Sequence, residues 1–224
     1  FIDNAPDYIS RARYSATQER SLGLGAMGLH SLYQKNNMAF ESVDAKELNI
    51  KIFSKIKSDA VEQTKLLGKE KGEAPDMEGT GKRNAHLLAI APNANSSMIT
   101  GCSPSIEPHK ANAYTHRTRA GSHLIKNRYL REELIKLNMD TPEVWTSIIT
   151  NGGSVQHLDF INDSIKEVFK TAIEIDQRVI IEQGGDRQKY LCQGQSLNIF
   201  FPAGASKNYL HDVHMKAWKN ECKG

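Results

Sequence analysis

Five small and apolar residues, Leu87-Leu88-Ala89-Ile90-Ala91, stop at Pro92, and Asn93-Ala94-Asn95-Ser96-Ser97 follow before apolar residues resume at Met98-Ile99. Proline cannot donate to a strand ladder and pushes the preceding residue out of helical backbone. The run therefore reads as a buried strand, the polar residues as a tight loop, and Met98-Ile99 as the start of a helix. A buried strand that hands over directly to a helix belongs to parallel α/β architecture, in which helical crossovers cover the sheet. The loop also points to a chemistry. Backbone N–H groups at a helix start lack intrahelical acceptors and carry partial positive charge, so this loop and its two serine hydroxyls suit a phosphate. The plain alternative is a strand-to-helix turn capped by Ser96 or Ser97.

The rest of the chain agrees with a helix-rich α/β fold. Ser21 to Lys35 carries Leu22, Leu24, Met27, Leu29 and Leu32 and reads as a helix. Ser42 is an N-cap for a long helix from about Asp44 to Gly68, with apolar positions at helical spacing. Glu70 to Arg83 reads as a loop, Asn112 to Lys126 as an irregular hairpin, and Tyr129 to Leu137 as a short helix. Thr141-Pro142-Glu143 opens another helix, which ends at Asn151-Gly152-Gly153. Asp163 to Gln183 reads as one long helix stopped by Gly184-Gly185. Ser196 to Phe201 is a short apolar strand, and Ser206 caps a final helix through Trp218. Two or three strands cannot close a barrel. No repeat or low-complexity linker divides the 224 residues, which are expected to form one domain portion.

Several chemistries are set aside. Gly23-Leu24-Gly25-Ala26-Met27-Gly28 has the GxGxxG spacing, but a dinucleotide fingerprint needs a preceding strand and an acidic residue at a strand end. Ala12 to Ser21 is polar, and Asp44 falls at a helix start, so glycine-mediated close packing is the better account. The 29 basic and 26 acidic residues are interspersed and give a net charge of +3, which implies no nucleic-acid surface. No apolar run reaches the ~18 residues of a membrane span, and the start, which is not Met, has no signal-peptide core. Cys102, Cys192 and Cys222 are widely spaced and odd in number, as in a reducing, cytoplasmic compartment. No Cys/His spacing suits a metal. His211 and His214, and the series His109, His116, His123, lack accompanying carboxylates and read as solvated or hydrogen-bonded side chains. Glu107, fixed before Pro108, reads as structural.

Taken with Ser105-Ile106-Glu107-Pro108, the loop resembles the substrate-phosphate loop of the ribonucleotide reductase large subunit. Three further blocks follow that family's order. Glu19-Arg20-Ser21-Leu22-Gly23-Leu24-Gly25-Ala26-Met27-Gly28 resembles its arginine- and glycine-rich helix start. Cys192-Gln193-Gly194-Gln195-Ser196-Leu197-Asn198-Ile199 resembles a late barrel strand, and His214-Met215-Lys216-Ala217-Trp218-Lys219 the helix before the final strand. The resemblance implies the C-terminal portion of a ten-stranded α/β barrel in an aerobic, class I-like catalytic subunit. It implies reduction of ribonucleoside diphosphates by thiyl-radical chemistry, with Pro92, Asn93, Ala94, Asn95, Ser96 and Ser97 holding the diphosphate. The implied partners are the remainder of the large subunit and a radical-generating small subunit, with no nucleic acid and no membrane. No cofactor is expected on this segment. The radical would come from the small subunit's metal/tyrosyl centre, or from adenosylcobalamin if the chain were class II.

The resemblance also implies that the catalytic residues lie elsewhere. The family's radical cysteine sits in an Asn-Cys-Leu-Glu stretch, absent here and expected upstream of Phe1. The Leu-Tyr-Tyr relay is expected just after Lys223-Gly224. None of the three cysteines is expected to be catalytic, and the 224 residues alone are expected to be inactive. Two other readings stay open: one piece of a split reductase that assembles with a second chain, or a non-catalytic phosphate-binding or structural fragment.

Overall fold

The computed structural model describes residues 2–119 and 121–224. Its helices are α1 (Ser10–Glu19), α2 (Leu29–Lys35), α3 (Val43–Lys71), α4 (Ala94–Thr100), α5 (Arg128–Lys136), α6 (Pro142–Thr150), α7 (Asp163–Val168), α8 (Gln177–Gln188) and α9 (Lys207–Lys219). One hairpin, β1 (Ala113–Thr118) with β2 (Gly121–Lys126), lies between α4 and α5. Capping chemistry sets many of the boundaries. The hydroxyls of Ser42, Thr141 and Ser206 accept from the N–H of Ala45, Val144 and Tyr209, and the Asn127 side chain accepts from Tyr129 and Leu130.

The parallel element is a ribbon of three short extended segments. Leu24 pairs with Leu88, and Ile90 pairs with Gln195, both in parallel. The bonds run from Leu24 N to Leu87 O (2.9 Å), Ala89 N to Leu24 O (3.1 Å) and Ser196 N to Ile90 O (2.9 Å). This corrects the expected helix over Ser21–Lys35, which begins only at Leu29. Residues 22–24 are extended because a strand needs a neighbour, and the Gly-rich segment lets one approach closely. A Cβ on Gly25 would lie 2.6 Å from the Ala89 carbonyl oxygen. Close glycine packing is present, but between backbones in the ribbon.

Two apolar clusters hold the chain. The first joins Tyr33, Phe40, Phe53, Leu88, Ile106 and Ile180 around the ribbon. The second joins Leu130, Leu134, Trp145, Ile148, Val155 and Phe169 behind the hairpin. Buried amides tie them together. Asn112 Nδ2 donates to Gly153 O and Phe169 O, and Asn127 Nδ2 reaches Gln34 Oε1 and Asn112 Oδ1. A second polar girdle fastens α8 to α2, α3 and the ribbon. Tyr33 donates to Gln183 Oε1 (3.0 Å), Gln183 to the Phe40 carbonyl (2.7 Å), and Arg187 to Gln195 Oε1 (2.7 Å) and Asn49 Oδ1 (3.2 Å). Such buried groups are tolerated because they are hydrogen-bonded.

Four other expectations change. The long helix from Asp163 is two helices, because Glu174 Oε2 captures Thr171 and the Asp176 carboxylate caps α8 by accepting from Arg178 N. Gly184-Gly185 does not stop α8 but lies inside it, where Cβ atoms would meet Leu197 Cδ2 at 3.0 Å and Asn220 Cβ at 2.6 Å. The strand expected over Ser196–Phe201 pairs only at its start, and further along Phe200 N is taken by the Gln177 side chain (2.7 Å). The hairpin is regular, in register from Ala113↔Lys126 to Thr118↔Gly121. Ala120 at its tip and Phe1 lie outside the described residues.

Candidate functional site

The ribbon aims its central segment at α4. After Ile90, Ala91 and Pro92 leave the pairing and the chain enters α4 at Ala94, not at Met98 as expected, because the polar loop itself supplies the first helical turn. Asn93, at the N-cap, makes no side-chain cap bond. Within α4 the first intrahelical donor is Ser97 N, bonded to Asn93 O at 3.0 Å. The amides of Ala94, Asn95 and Ser96 have no acceptor among the described residues. Pro92, Ala94, Asn95 and Ser96 are exposed and Asn93 is half-buried. Three neighbouring N–H donors therefore project from one exposed turn at the end of a parallel segment, which is a geometry for an anion. The Ser97 hydroxyl, expected among the donors, is not free. It is buried and donates to Ala94 O at 2.7 Å. Ser96 keeps an exposed hydroxyl beside the free amides.

The far end of α4 is clamped. Gly101, with φ +66°, ends the helix, and Cys102 N returns to Ser97 O at 3.0 Å. Ser103 and Ser31 then exchange bonds: Ser103 N donates to Ser31 Oγ (2.7 Å), and Ser31 N to Ser103 Oγ (3.1 Å). His109 Nε2 shares Ser31 Oγ at 3.1 Å, and His109 N donates to His30 Nδ1 at 2.8 Å. Burial pushes His109 down to about 4 and holds His30 well below the usual imidazole range, so both rings are neutral at pH 7. Glu107 is buried and accepts from Asn198 Nδ2 at 2.5 Å, joining this segment to the third strand of the ribbon. That agrees with a structural role. The Ser31–Ser103 clasp spans 72 residues of sequence, and no local motif announces it.

The three cysteines are dispersed. Cys102 Sγ lies 3.1 Å from Thr100 Oγ1. Burial raises the Cys222 thiol. Burial alone would raise Cys192 too, but the N–H groups of Leu88 and Leu87 and the Lys57 ammonium, 3.1 Å away, hold it below its ordinary value. His116 and His123 face each other across the hairpin, apart from His109. Among the described residues no three His, Cys, Asp or Glu side chains group as metal ligands, and no helix is long and apolar enough to cross a membrane.

The comparisons with known proteins agree on one family. The model of the ribonucleotide reductase barrel domain matches residues 1–80 and 76–224. The whole chain aligns, at 56% identity over 227 residues, with 40% of a Frog virus 3 (isolate Goorha) protein provisionally named a ribonucleoside-diphosphate reductase large subunit. It aligns at 47% identity over 228 residues with 24% of the ribonucleoside-diphosphate reductase large subunit of Invertebrate iridescent virus 6. Among solved structures, the Actinobacillus ureae class Id ribonucleotide reductase alpha subunit superposes with a TM-score of 0.92 at 40% identity. That match covers all of this chain and 42% of the other. The chain thus spans less than half the length of these relatives, and its three-segment ribbon is part of a larger barrel.

Proposed function

The chain belongs to the ribonucleotide reductase barrel-domain family of large subunits, and we propose that within such a subunit it supplies the substrate-phosphate end of the barrel. The diphosphate of a ribonucleotide sits at Pro92–Ser97, held by the N–H groups of Ala94, Asn95 and Ser96 and by the Ser96 hydroxyl. The observation that carries this reading is the uncapped first turn of α4, with three unpaired donors at the end of a parallel segment. Donors fixed in advance by a clamped helix position the ribose and keep water from a reactive intermediate.

In this reading the 224 residues are one portion of the catalytic barrel in a cytoplasmic enzyme. Thiyl-radical chemistry is carried by the remainder of the subunit. The radical comes from a small subunit with a metal/tyrosyl centre or, in a class II protein, from adenosylcobalamin.

The test is binding of a ribonucleoside diphosphate, its monophosphate and the nucleoside to the full-length subunit. Affinity should fall in that order. Ser96→Ala should weaken diphosphate binding by about 1–2 kcal/mol, the scale of a hydrogen bond to a charged group. Ser96→Pro should cost more, because it also removes a backbone donor. Unchanged binding of all three ligands in both variants rules the assignment out.

A further inference from the structure

Lys57 projects from the middle of α3 and ends on a sulfur. Its Nζ donates to Cys192 Sγ at 3.1 Å, across 135 residues of sequence. The local sequence explains why the ammonium goes there. The positions three and four residues to either side on α3 are Phe53, Ser54, Ala60 and Val61, so no carboxylate lies within helical reach. Lys55, by contrast, meets Asp59 at 2.5 Å. Among the described residues Lys57 makes no ion pair, and the bond to Cys192 is its one hydrogen bond.

The sulfur is equally committed. Cys192 opens the third segment of the ribbon, where Cys192 N and Gln193 N both donate to Leu88 O (3.2 and 3.0 Å). Its Sγ also accepts from Leu87 N at 3.4 Å. Burial disfavours a charged sulfur here, but the Leu88 and Leu87 N–H groups and the Lys57 ammonium outweigh it and hold the thiol below its ordinary value. A neutral thiol is a weak acceptor, so converging donors that include a cation match a thiolate. The other two thiols lack such a neighbour. Cys102 meets the Thr100 hydroxyl at 3.1 Å, and Cys222 donates to the Ile181 carbonyl at 4.0 Å. Lys223 also approaches Cys192, but its ammonium is held by the carbonyl oxygen at 2.8 Å.

We propose that Lys57 and Cys192 form a redox pair that closes to a covalent S–N bridge in the presence of peroxide. The Cys192 sulfur attacks a peroxide oxygen. An S–O bond forms, the O–O bond breaks and hydroxide leaves, so sulfur gives up two electrons and peroxide takes them. The sulfenic acid carries no charge to hold the ammonium. Lys57 passes one proton to the hydroxide, which becomes water. The free amine then attacks sulfur and expels the hydroxyl, which leaves as a second water with another amine proton. One thiolate, one ammonium and one peroxide thus become one sulfenamide and two waters. The flexible four-carbon stem of lysine closes the 3.1 Å gap by side-chain rotation. The bridge fastens α3 to the ribbon and keeps Cys192 from irreversible oxidation to the sulfinic acid. A thiol reductant reopens it: one thiol takes the sulfur as a mixed disulfide and frees the amine, and a second thiol releases Cys192.

The test treats the reduced full-length subunit with hydrogen peroxide, blocks remaining thiols, and analyses tryptic peptides by mass spectrometry with and without dithiothreitol. Peptides joined at Lys57 and Cys192 are expected, lighter than their sum by two hydrogens and absent after dithiothreitol. Lys57→Arg keeps the cation but removes the nucleophilic amine. It should lose the linked peptide completely, and Cys192 should instead be trapped as sulfenic acid by dimedone and accumulate several-fold more sulfinic acid. Cys192→Ser should lose the linked peptide and leave Cys102 and Cys222 unlinked to lysine. A Cys192 that stays reduced while Cys102 oxidises, an oxidised Cys192 without the linked peptide, or equal sulfinic acid in Lys57→Arg and the unsubstituted protein overturns the proposal.

Discussion

A single methyl group at Gly25 tests whether the glycine-rich segment is a ribbon strand or a nucleotide loop. In the ribbon, a Cβ at Gly25 would lie 2.6 Å from the Ala89 carbonyl oxygen, a backbone atom without a rotamer in which to retreat. Ordinary contact begins at 3.4 Å, so the two segments must part by roughly 0.8 Å (3.4 − 2.6). That displacement falls on the bonds Leu24 N–Leu87 O and Ala89 N–Leu24 O. Overpacking of this kind costs about 1–3 kcal/mol. Gly23 is the internal control. Its Cβ would meet only Ala89 Cβ, at 3.6 Å, which is ordinary contact. Its φ is not positive, so Gly23→Ala should be neutral or stabilising by up to about 1 kcal/mol through lost unfolded-chain entropy. Urea denaturation of the full-length subunit, monitored at both substitutions, should therefore give shifts of opposite sign or very unequal size. Because Ala89 lies three residues before Pro92, Gly25→Ala should also weaken diphosphate binding while Gly23→Ala does not. Equal stability of the two variants would refute the ribbon argument.

Other outcomes follow from the buried groups. The folded His109 pKa of about 4 lies below the unfolded value near 6.5, so between these pH values the unfolded chain binds more protons. Stability should be complete above pH 6.5 and fall by up to about 3 kcal/mol as pH drops to 4; a His30→Gln/His109→Gln pair that keeps the same acid limb in pH-dependent denaturation would exclude these rings as its source. Serine at Cys102, Cys192 or Cys222 should cost at most about 1–2 kcal/mol, and in the full-length enzyme any variant that folds normally yet loses turnover contradicts the expectation that none of them is catalytic. The 224 residues expressed alone should show no reductase turnover, since they contain no Asn-Cys-Leu-Glu stretch, and should self-associate because Leu22 and Leu24 on the ribbon and Met27 just after it are exposed. A monomer with a sharp melting transition and no dye binding would show an autonomous domain instead.

The sequence disclosed most where the signal is local. Ser42, Thr141-Pro142 and Ser206 mark helix starts because a cap is decided within four residues. The Leu87–Pro92 stop is visible for the same reason. Misreadings arose where a distant partner decides the local state. The stretch holding Leu22, Leu24 and Met27 satisfies helical spacing, yet residues 22–24 extend because His86 and Leu87 offer a ladder more than 60 residues away. Gly184-Gly185 has the composition of a helix stop, but its glycines serve the approach of Leu197 and Asn220. Asp163 to Gln183 is helical in pattern at both ends, and only the Glu174 and Asp176 side chains reveal the break. The site followed the same division. The end of the strand at Pro92 was legible, whereas the helix start at Ala94, the engaged Ser97 hydroxyl and the Ser31–Ser103–His109 clasp were not.

That clasp bears on how a helix as short as α4 could hold an anion. Seven residues build little macrodipole, and its effect fades beyond the first turn. What α4 has instead is position. Ser97 is locked to Ala94, Cys102 to Ser97, and Ser103 to Ser31, so the free amides of residues 94–96 cannot relax toward intramolecular acceptors when no ligand is present. Binding there should depend more on this fixed geometry than on net charge. Ser31→Ala leaves the free donors untouched but removes the hydroxyl shared by Ser103 N and His109. It should therefore weaken diphosphate binding nearly as much as Ser96→Ala does, by about 1 kcal/mol, while altering the salt dependence little. Titrating the diphosphate at low and high salt in both variants checks this. A Ser31→Ala protein that binds like the unsubstituted one would mean that the turn of α4 holds its shape without the clasp.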